Sequence, residues 1–204
     1  MMPRIVLASA SPARLRLLQR SGITPEVVVS HIDEEQAVLE AGPLSVAEQT
    51  ALLARLKASH VAALIEGNAL VIGCDTTLEL GGEAHNKPSS PQEAIQRWQA
   101  MRGQQGLLHT GHCLIQKVDG EMQLSEVVRT ATVTFAWPSD DEITAYVATG
   151  EPVRVAGAFT LEGFGGAFIE RIEGDPSSIE GLSLPTLRVM LAQFGHRWTD
   201  LWSL

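Results

Sequence analysis

Cysteine, positive charge and long apolar runs are all scarce in this chain of 204 residues. The two cysteines, Cys74 and Cys113, form no CxxC pair, so they indicate small buried residues of a reducing compartment and not a disulfide framework. A formal net charge of −9 disfavours non-specific binding to nucleic acid or an anionic membrane, and we expect neither as a partner. The apolar runs are too short for a signal-peptide core or a membrane span, which makes a cytoplasmic location the default expectation.

Several common catalytic motifs are also missing. The sequence contains no GxxxxGK[ST] phosphate loop, no GxGxxG after a strand, no GxSxG elbow and no HExxH. His109 and His112 stand close to Cys113, but a fourth metal ligand at suitable spacing is missing and all three fall in a strand pattern. We therefore assign these histidines no role.

The composition is that of a globular protein. Hydrophobic residues make up 45% of the chain and charged residues 19%, with no low-complexity tract. A chain of this length buries enough surface for a real core, and we expect one domain over residues 1–204.

Helices are predicted from a repeated serine-to-glutamate spacing, in which each side chain can satisfy the other's backbone N–H. The pairs are Ser45 with Glu48, Ser90 with Glu93, and Ser139 with Glu142. Further helices are expected after the first strand, closing near Gly22, and at about Pro185 to Phe194.

Strand patterns lie between these helices, at Ile5–Ala8, Glu26–Ser30, Ala69–Gly73, Thr76–Leu80, Leu107–Val118, Glu126–Trp137 and Ala167–Ile172. Asp119-Gly120 is typical of a hairpin turn. Because the spacing is not that of regular βαβ units, the predicted fold class is α/β, with a mixed β-sheet flanked by helices.

The stretch LASASPARLRLLQRSG predicts a strand, a polar turn and then a helix. Free backbone N–H groups at a helix start favour an anion such as phosphate, and Ser9, Ser11 and Arg14 could add hydroxyl groups and a positive charge. The alternative is that Ser11 only caps the helix and Arg14 is a solvated first-turn residue.

Further charged residues are scattered along the chain. Asp75 follows the buried strand ALVIGC and is expected at a strand end, where a carboxylate needs a partner. Glu34 falls in an acidic loop, Lys57 in the long helix and Lys87 in the turn HNKPS, and each taken singly could be an ordinary solvated charge. Taken together with the first turn, they supply the cations and carboxylates that phosphoanhydride hydrolysis requires.

The chain resembles the Maf family of nucleoside triphosphate pyrophosphatases from about residue 4 to residue 191. The resemblance is carried by motifs in a fixed order: LASASPxR, SHIDE, LARLKA, GCDTTLELGGEAHNKP, TGH, EPVRVAGAF and GDPSSIEGLSLPTLRVML. It implies an elongated, two-lobed, Maf/ITPase-like α/β fold with a central cleft, cleavage between the α and β phosphates, and a Mg²⁺ or Mn²⁺ requirement. Dimers are frequent in this family, so a homodimer is one expectation.

The family's functional residues fall on matching positions of this chain: Ser9, Arg14, Glu34, Lys57, Asp75 and Lys87. The resemblance implies that Asp75 is a general base or a metal ligand and that Glu34 is a second metal ligand. Ser9, Arg14, Lys57 and Lys87 would bind the substrate.

Three departures bear on the substrate. The chain has Ala13 where the dTTP/UTP branch has a first arginine, Arg154–Phe159 reads RVAGAF in place of DKAGAY, and Glu162 replaces a glutamine. These changes resemble the branch of the family that acts on 7-methyl-GTP. Independently of the resemblance, a carboxylate at Glu162 could accept hydrogen bonds from the N–H donors of guanine. Glu162 could equally be a solvated loop residue.

A non-catalytic nucleotide-binding regulator of septum formation and cell division is the competing function.

Overall fold

The computed structural model describes residues 3–203, and its elements follow one another in the order expected for a mixed α/β protein. The strands are β1 (Ile5–Leu7), β2 (Glu26–Val27), β3 (Ala69–Leu80), β4 (Glu83–His85), β5 (Gln105–Val118), β6 (Glu121–Phe135) and β7 (Ile169–Glu173). The helices are α1 (Pro12–Arg20), α2 (Glu34–Ala41), α3 (Val46–Leu64), α4 (Pro91–Met101), α5 (Asp140–Ala148), α6 (Pro176–Ile179) and α7 (Leu184–Gln193).

The strands form one mixed sheet in the order β2-β1-β3-β5-β6-β7, with β4 also paired to β3. β1 runs parallel to both β2 and β3, whereas β3, β5, β6 and β7 pair antiparallel. The expected fold class, a mixed sheet flanked by helices, is confirmed.

One edge of β3 is only partly covered by other strands. β5 pairs with β3 from residue 69 to residue 79, so β1 and β4 must share the opposite edge. On that edge β1 reaches only Ile72 and β4 begins only at Leu78. In the part of the chain that the structure describes, residues 73–77 of β3 therefore have no strand neighbour on this side, and we call this gap the open edge.

Two apolar clusters contact β3, one before and one after residues 75–77. One cluster contains Leu70, Ile72 and Cys74 of β3 and packs them against α1 and α7, while the other contains Leu78 and surrounds Trp98 of α4. A further cluster lies under α3, on the face opposite α1 and α7. Residues 75–77, Asp-Thr-Thr, thus form a polar stretch of β3 between the apolar residues that belong to the two clusters.

Several details differ from the sequence expectations. Asp75 was expected at the end of a strand, but β3 continues through it, because β5 pairs with this whole stretch and satisfies its backbone groups. Glu34 does not lie in an acidic loop: Asp33 caps helix α2 by accepting a hydrogen bond from Gln36, and Glu34 is the first helical residue. The strand expected at Glu26–Ser30 is shortened to β2.

The local turn and capping signals were mostly correct. Ser45 and Ser139 form complete capping boxes with their glutamates. Ser90 caps α4, but Glu93 accepts instead from the backbone N–H of Ser89, so this third box is only half formed. The Asp119-Gly120 hairpin is confirmed, with φ values of +50° and +89° that suit a tight two-residue turn.

Candidate functional site

Asp75 lies on the α3 side of the sheet and is buried next to a lysine. Lys57 Nζ donates to Asp75 Oδ1 at 2.6 Å and lies 3.0 Å from Glu34 Oε1. The Asp75 and Lys57 side chains are 11% and 10% exposed, whereas Glu34 is half exposed. Thr77 completes the group by donating to Asp75 Oδ2 at 3.4 Å. One ammonium group therefore joins a buried and an exposed carboxylate.

Two glycines allow α3 to lie close enough for this contact. A Cβ atom at Gly73 would be 2.3 Å from the carbonyl oxygen of Ala54, and one at Gly111 would be 2.4 Å from that of Thr50. Either distance is too short for any side chain, so larger residues here would push the helix away from the sheet. Close packing of backbone on backbone places Lys57 above Asp75.

Arg14, a residue of α1, lies on the opposite side of β3 from Lys57. Its Nε donates to the carbonyl of Gly181 at 2.8 Å, and its terminal nitrogens donate to Ser9 Oγ at 2.9 Å and Thr76 Oγ1 at 3.0 Å. Ser11 caps α1 by accepting from the backbone N–H of Arg14, as the alternative prediction proposed. The other half of that alternative is wrong, because Arg14 is buried and hydrogen-bonded and not a solvated residue. Within residues 3–203, Arg14 forms no salt bridge with a carboxylate, and its charge is therefore not neutralised by an acidic partner.

Sequence reasoning missed the hydroxyl groups that continue this network. Thr76 Oγ1 lies 3.4 Å from Thr110 Oγ1, which donates to the carbonyl of Ser178 at 2.9 Å. Thr110 and Ser178 belong to the motifs TGH and GDPSSIEG, which were recognised as segments without a role for each residue. The contact between Thr110 and Ser178 attaches α6 to the centre of the sheet.

The buried histidines have structural partners. His112 Nε2 accepts from the backbone N–H of Ser183 at 2.8 Å, so its Nδ1 carries the proton and donates to Val127 O at 3.2 Å. Burial lowers the pKa of His112 from 6.5 to about 4 and keeps the ring neutral. His109 hydrogen-bonds to Glu79 and Thr130. No cluster of three or more His, Cys, Asp or Glu side chains that could hold a metal ion occurs in residues 3–203.

Lys87 and Glu162 lie outside these two groups. Lys87 is exposed in the loop after β4, two residues beyond His85. Because β4 is antiparallel to β3 and His85 pairs with Leu78, the chain leaves β4 in the direction of the open edge. Glu162 forms an ion pair with Arg20 of α1, which also holds Glu180. Their predicted contacts with a substrate therefore stay predictions.

The two carboxylates have the chemistry that a magnesium or manganese ion requires. Mg²⁺ is commonly held by one or two carboxylates together with substrate phosphates, and seldom by a complete cage of protein ligands. Asp75 and Glu34 supply two hard oxygen ligands that approach the same ammonium group. These residues therefore fit a divalent cation that is shared with a phosphate-bearing ligand.

Comparison with known proteins decides the family, because a model described as "Maf-like protein" matches residues 4–194. The chain belongs to the Maf family. A relative from Salinispora tropica is 50% identical over 98% of this chain and 88% of its own length, and one from Streptomyces coelicolor is 52% identical over 98% and 95%. Both are named "Nucleoside triphosphate pyrophosphatase". Among solved structures, the Ham1 protein of Staphylococcus aureus aligns with 65% of this chain and 72% of its own at 14% identity and a TM-score of 0.39.

Within residues 3–203 of this Maf protein, no helix combines sufficient length with sufficient apolarity to cross a bilayer.

Proposed function

We propose that this Maf protein is a nucleoside triphosphate pyrophosphatase that cleaves between the α and β phosphates and releases a nucleoside monophosphate and pyrophosphate. The supporting observation is the open edge of β3, where Asp75 with Lys57 lies on one side of the strand and Arg14 with Ser9 on the other. The name shared by the relatives at about 50% identity agrees with this proposal. A triphosphate at this edge would meet a cation from each side.

Each residue then has a role that follows from its surroundings. Arg14 is held by neutral oxygen atoms, so its positive charge is available to the phosphates, and Ser9 adds a hydroxyl group. Lys87 would add a charge from its exposed loop. Asp75 would accept a proton from the attacking water or hold a divalent ion together with Glu34. When bound, Mg²⁺ or Mn²⁺ would neutralise phosphate charge and make water easier to deprotonate.

Product analysis tests the proposed reaction. The protein is incubated with Mg²⁺ and a panel of dTTP, UTP, CTP and 7-methyl-GTP, and pyrophosphate, orthophosphate and monophosphate are measured. Pyrophosphate with an equal amount of monophosphate is the expected result. Orthophosphate would indicate a γ-phosphatase, and binding without any product would favour the regulator of cell division.

We propose that the substrate is one of 7-methyl-GTP, dTTP and UTP, and that 7-methyl-GTP is used at least as well as the pyrimidine nucleotides. Glu162 would accept from the N–H donors of guanine, and the exposed Phe164 would offer a ring face to the cationic methylated base. Phe159, the other aromatic residue of this segment, is buried in the core against Phe135 and is not available for such a contact. The ion pair with Arg20 holds the Glu162 carboxylate in place beside α1.

Glu162→Gln tests this choice of substrate. We expect the ratio of 7-methyl-GTP to dTTP turnover to fall in the variant, because glutamine can donate as well as accept a hydrogen bond. Glu170, an exposed carboxylate of β7, provides a control: Glu170→Gln makes the same chemical change away from Glu162 and should leave the ratio unchanged. A wild-type preference for dTTP that Glu162→Gln does not alter would contradict the role of Glu162.

A further inference from the structure

Lys57 already has a counter-ion on each side before any substrate binds. Its ammonium lies 2.6 Å from Asp75 and 3.0 Å from Glu34, the two carboxylates that would hold a divalent ion. Two carboxylates and one ammonium carry a net charge of −1, so the group attracts a cation. However, the position that faces both carboxylates is filled by Lys57 itself.

A divalent ion at these carboxylates would have to share them with the ammonium or displace it. Sharing brings like charges together in a largely buried place, where their repulsion is only weakly screened. Displacement leaves the ammonium of Lys57 without a partner. The Lys57 side chain is only 10% exposed, and an unpaired buried charge is strongly unfavourable. In either case the metal ion binds weakly unless Lys57 finds another anion.

The triphosphate is the anion that the proposed function brings to this place. We propose that Lys57 is the resident counter-ion of the site and exchanges places with the metal: it leaves Asp75 for a phosphate oxygen only when nucleotide is present. Metal binding then depends on substrate binding. This inference rests on the proposed function and adds to it an order of events in which the free protein holds little metal.

Of the two cations beside the open edge, only Lys57 has to change partners when a phosphate binds. Arg14 is fixed by a carbonyl and two hydroxyl groups and forms no salt bridge with a carboxylate within residues 3–203, so it occupies no metal ligand. It can bind phosphate without leaving its partners. Lys57 must give up an ion pair to do so.

Manganese binding to three proteins tests the exchange: wild type, Lys57→Met and Lys117→Met. Lys117 is a matched control, because its ammonium lies at the C-terminal end of α3, where it donates to the carbonyls of Ala62 and Ile65 and contacts neither carboxylate. Free Mn²⁺ is followed by electron paramagnetic resonance without nucleotide. We expect Lys57→Met to bind Mn²⁺ at least tenfold more tightly than the other two proteins. Equal affinity in wild type and Lys57→Met would overturn the proposal.

Thermal unfolding gives a second readout that needs no activity. Without Lys57 the two carboxylates repel each other, so Mg²⁺ should raise the Tm of Lys57→Met and have little effect on wild type. If Lys57→Met folds only when Mg²⁺ or Mn²⁺ is present, the result also supports the exchange. If Lys57→Met does not fold in either condition, wild type decides: addition of an uncleavable α,β-methylene triphosphate should tighten Mn²⁺ binding beyond that of the analogue alone, and no such gain overturns the proposal.

The product assay separates this inference from the proposed function. Pyrophosphate release by wild type, with equal Mn²⁺ affinity in wild type and Lys57→Met, would overturn the exchange and leave the reaction standing. Tighter Mn²⁺ binding by Lys57→Met, with no pyrophosphate release by wild type, would support the exchange as a property of the site and remove the proposed reaction.

Discussion

The two cations on opposite sides of β3 are held in opposite ways. Lys57 is paired with the Asp75 and Glu34 carboxylates, whereas Arg14 is held by a carbonyl and two hydroxyl groups. A cation held by neutral oxygens keeps its attraction for a phosphate, and a cation held by carboxylates masks acidic groups that a metal ion could use. The partners of each cation therefore distinguish the two faces of β3 at the open edge. On the Arg14 face the cation is available to a phosphate, and on the Lys57 face the cation must first leave its carboxylates.

The largest expected effect comes from the carboxylate side. Asp75→Asn keeps the shape of the side chain and removes its charge, so we expect the fold to persist and kcat to fall by roughly 10²-fold or more if Asp75 is a general base. Steady-state kinetics with Mg²⁺ measure the loss, and circular dichroism checks the fold. Near wild-type turnover would show that Asp75 is not needed for the chemistry.

On the arginine side we expect a smaller effect, mainly on KM. Arg14→Lys keeps the charge but cannot reproduce three directed N–H bonds to Gly181, Ser9 and Thr76, so phosphate would be held less well. Loss of a charge-assisted contact of about 1.5 to 3 kcal/mol corresponds to roughly ten- to hundredfold in KM. An unchanged KM would mean that the phosphates do not meet Arg14.

Acid should lower the free energy of unfolding through His112, which packs against the loop next to Arg14. The ring accepts from Ser183, in the loop that carries the Gly181 carbonyl, and burial lowers its pKa from 6.5 to about 4. The folded protein therefore holds His112 neutral while the unfolded chain takes up a proton, and stability is lost as the pH falls from 6.5 towards 4. Between pH 7 and pH 5 this amounts to about 2 kcal/mol.

Urea unfolding at both pH values measures that loss. His112→Gln should be less stable at pH 7 but should lack this part of the pH dependence, and the exposed His31 offers a control as His31→Gln. The same change in unfolding free energy for wild type and His112→Gln would show that His112 does not cause it.

The smallest expected effect belongs to Lys87, which is exposed in the loop after β4. Lys87→Ala should raise KM about tenfold if the loop brings the ammonium to a phosphate, a contact of about 1.5 kcal/mol. Kinetics at increasing salt add a second check, since an exposed charge is screened. No change in KM would return Lys87 to the role of a solvated turn residue.

The sequence by itself determined the features that depend on neighbouring residues. The serine caps, the Asp119-Gly120 hairpin and the turn from β1 into α1 use hydrogen bonds and dihedral angles within a few residues, so their signals are local. The ordered motifs gave the Maf resemblance, which the family comparison confirms. The same resemblance supplied the candidate site residues, whose roles stay predictions.

Only the tertiary structure decided how those residues are divided. Asp75 and Thr76 are neighbours in sequence, but alternate side chains of a strand point to opposite faces, which sends one to Lys57 and the other to Arg14. The short distance between α3 and the sheet depends on Gly73 and Gly111, which have no side chains and therefore no functional groups that a sequence pattern would single out. The open edge depends on where β1 and β4 stop, and that is set by pairing between segments far apart in the chain.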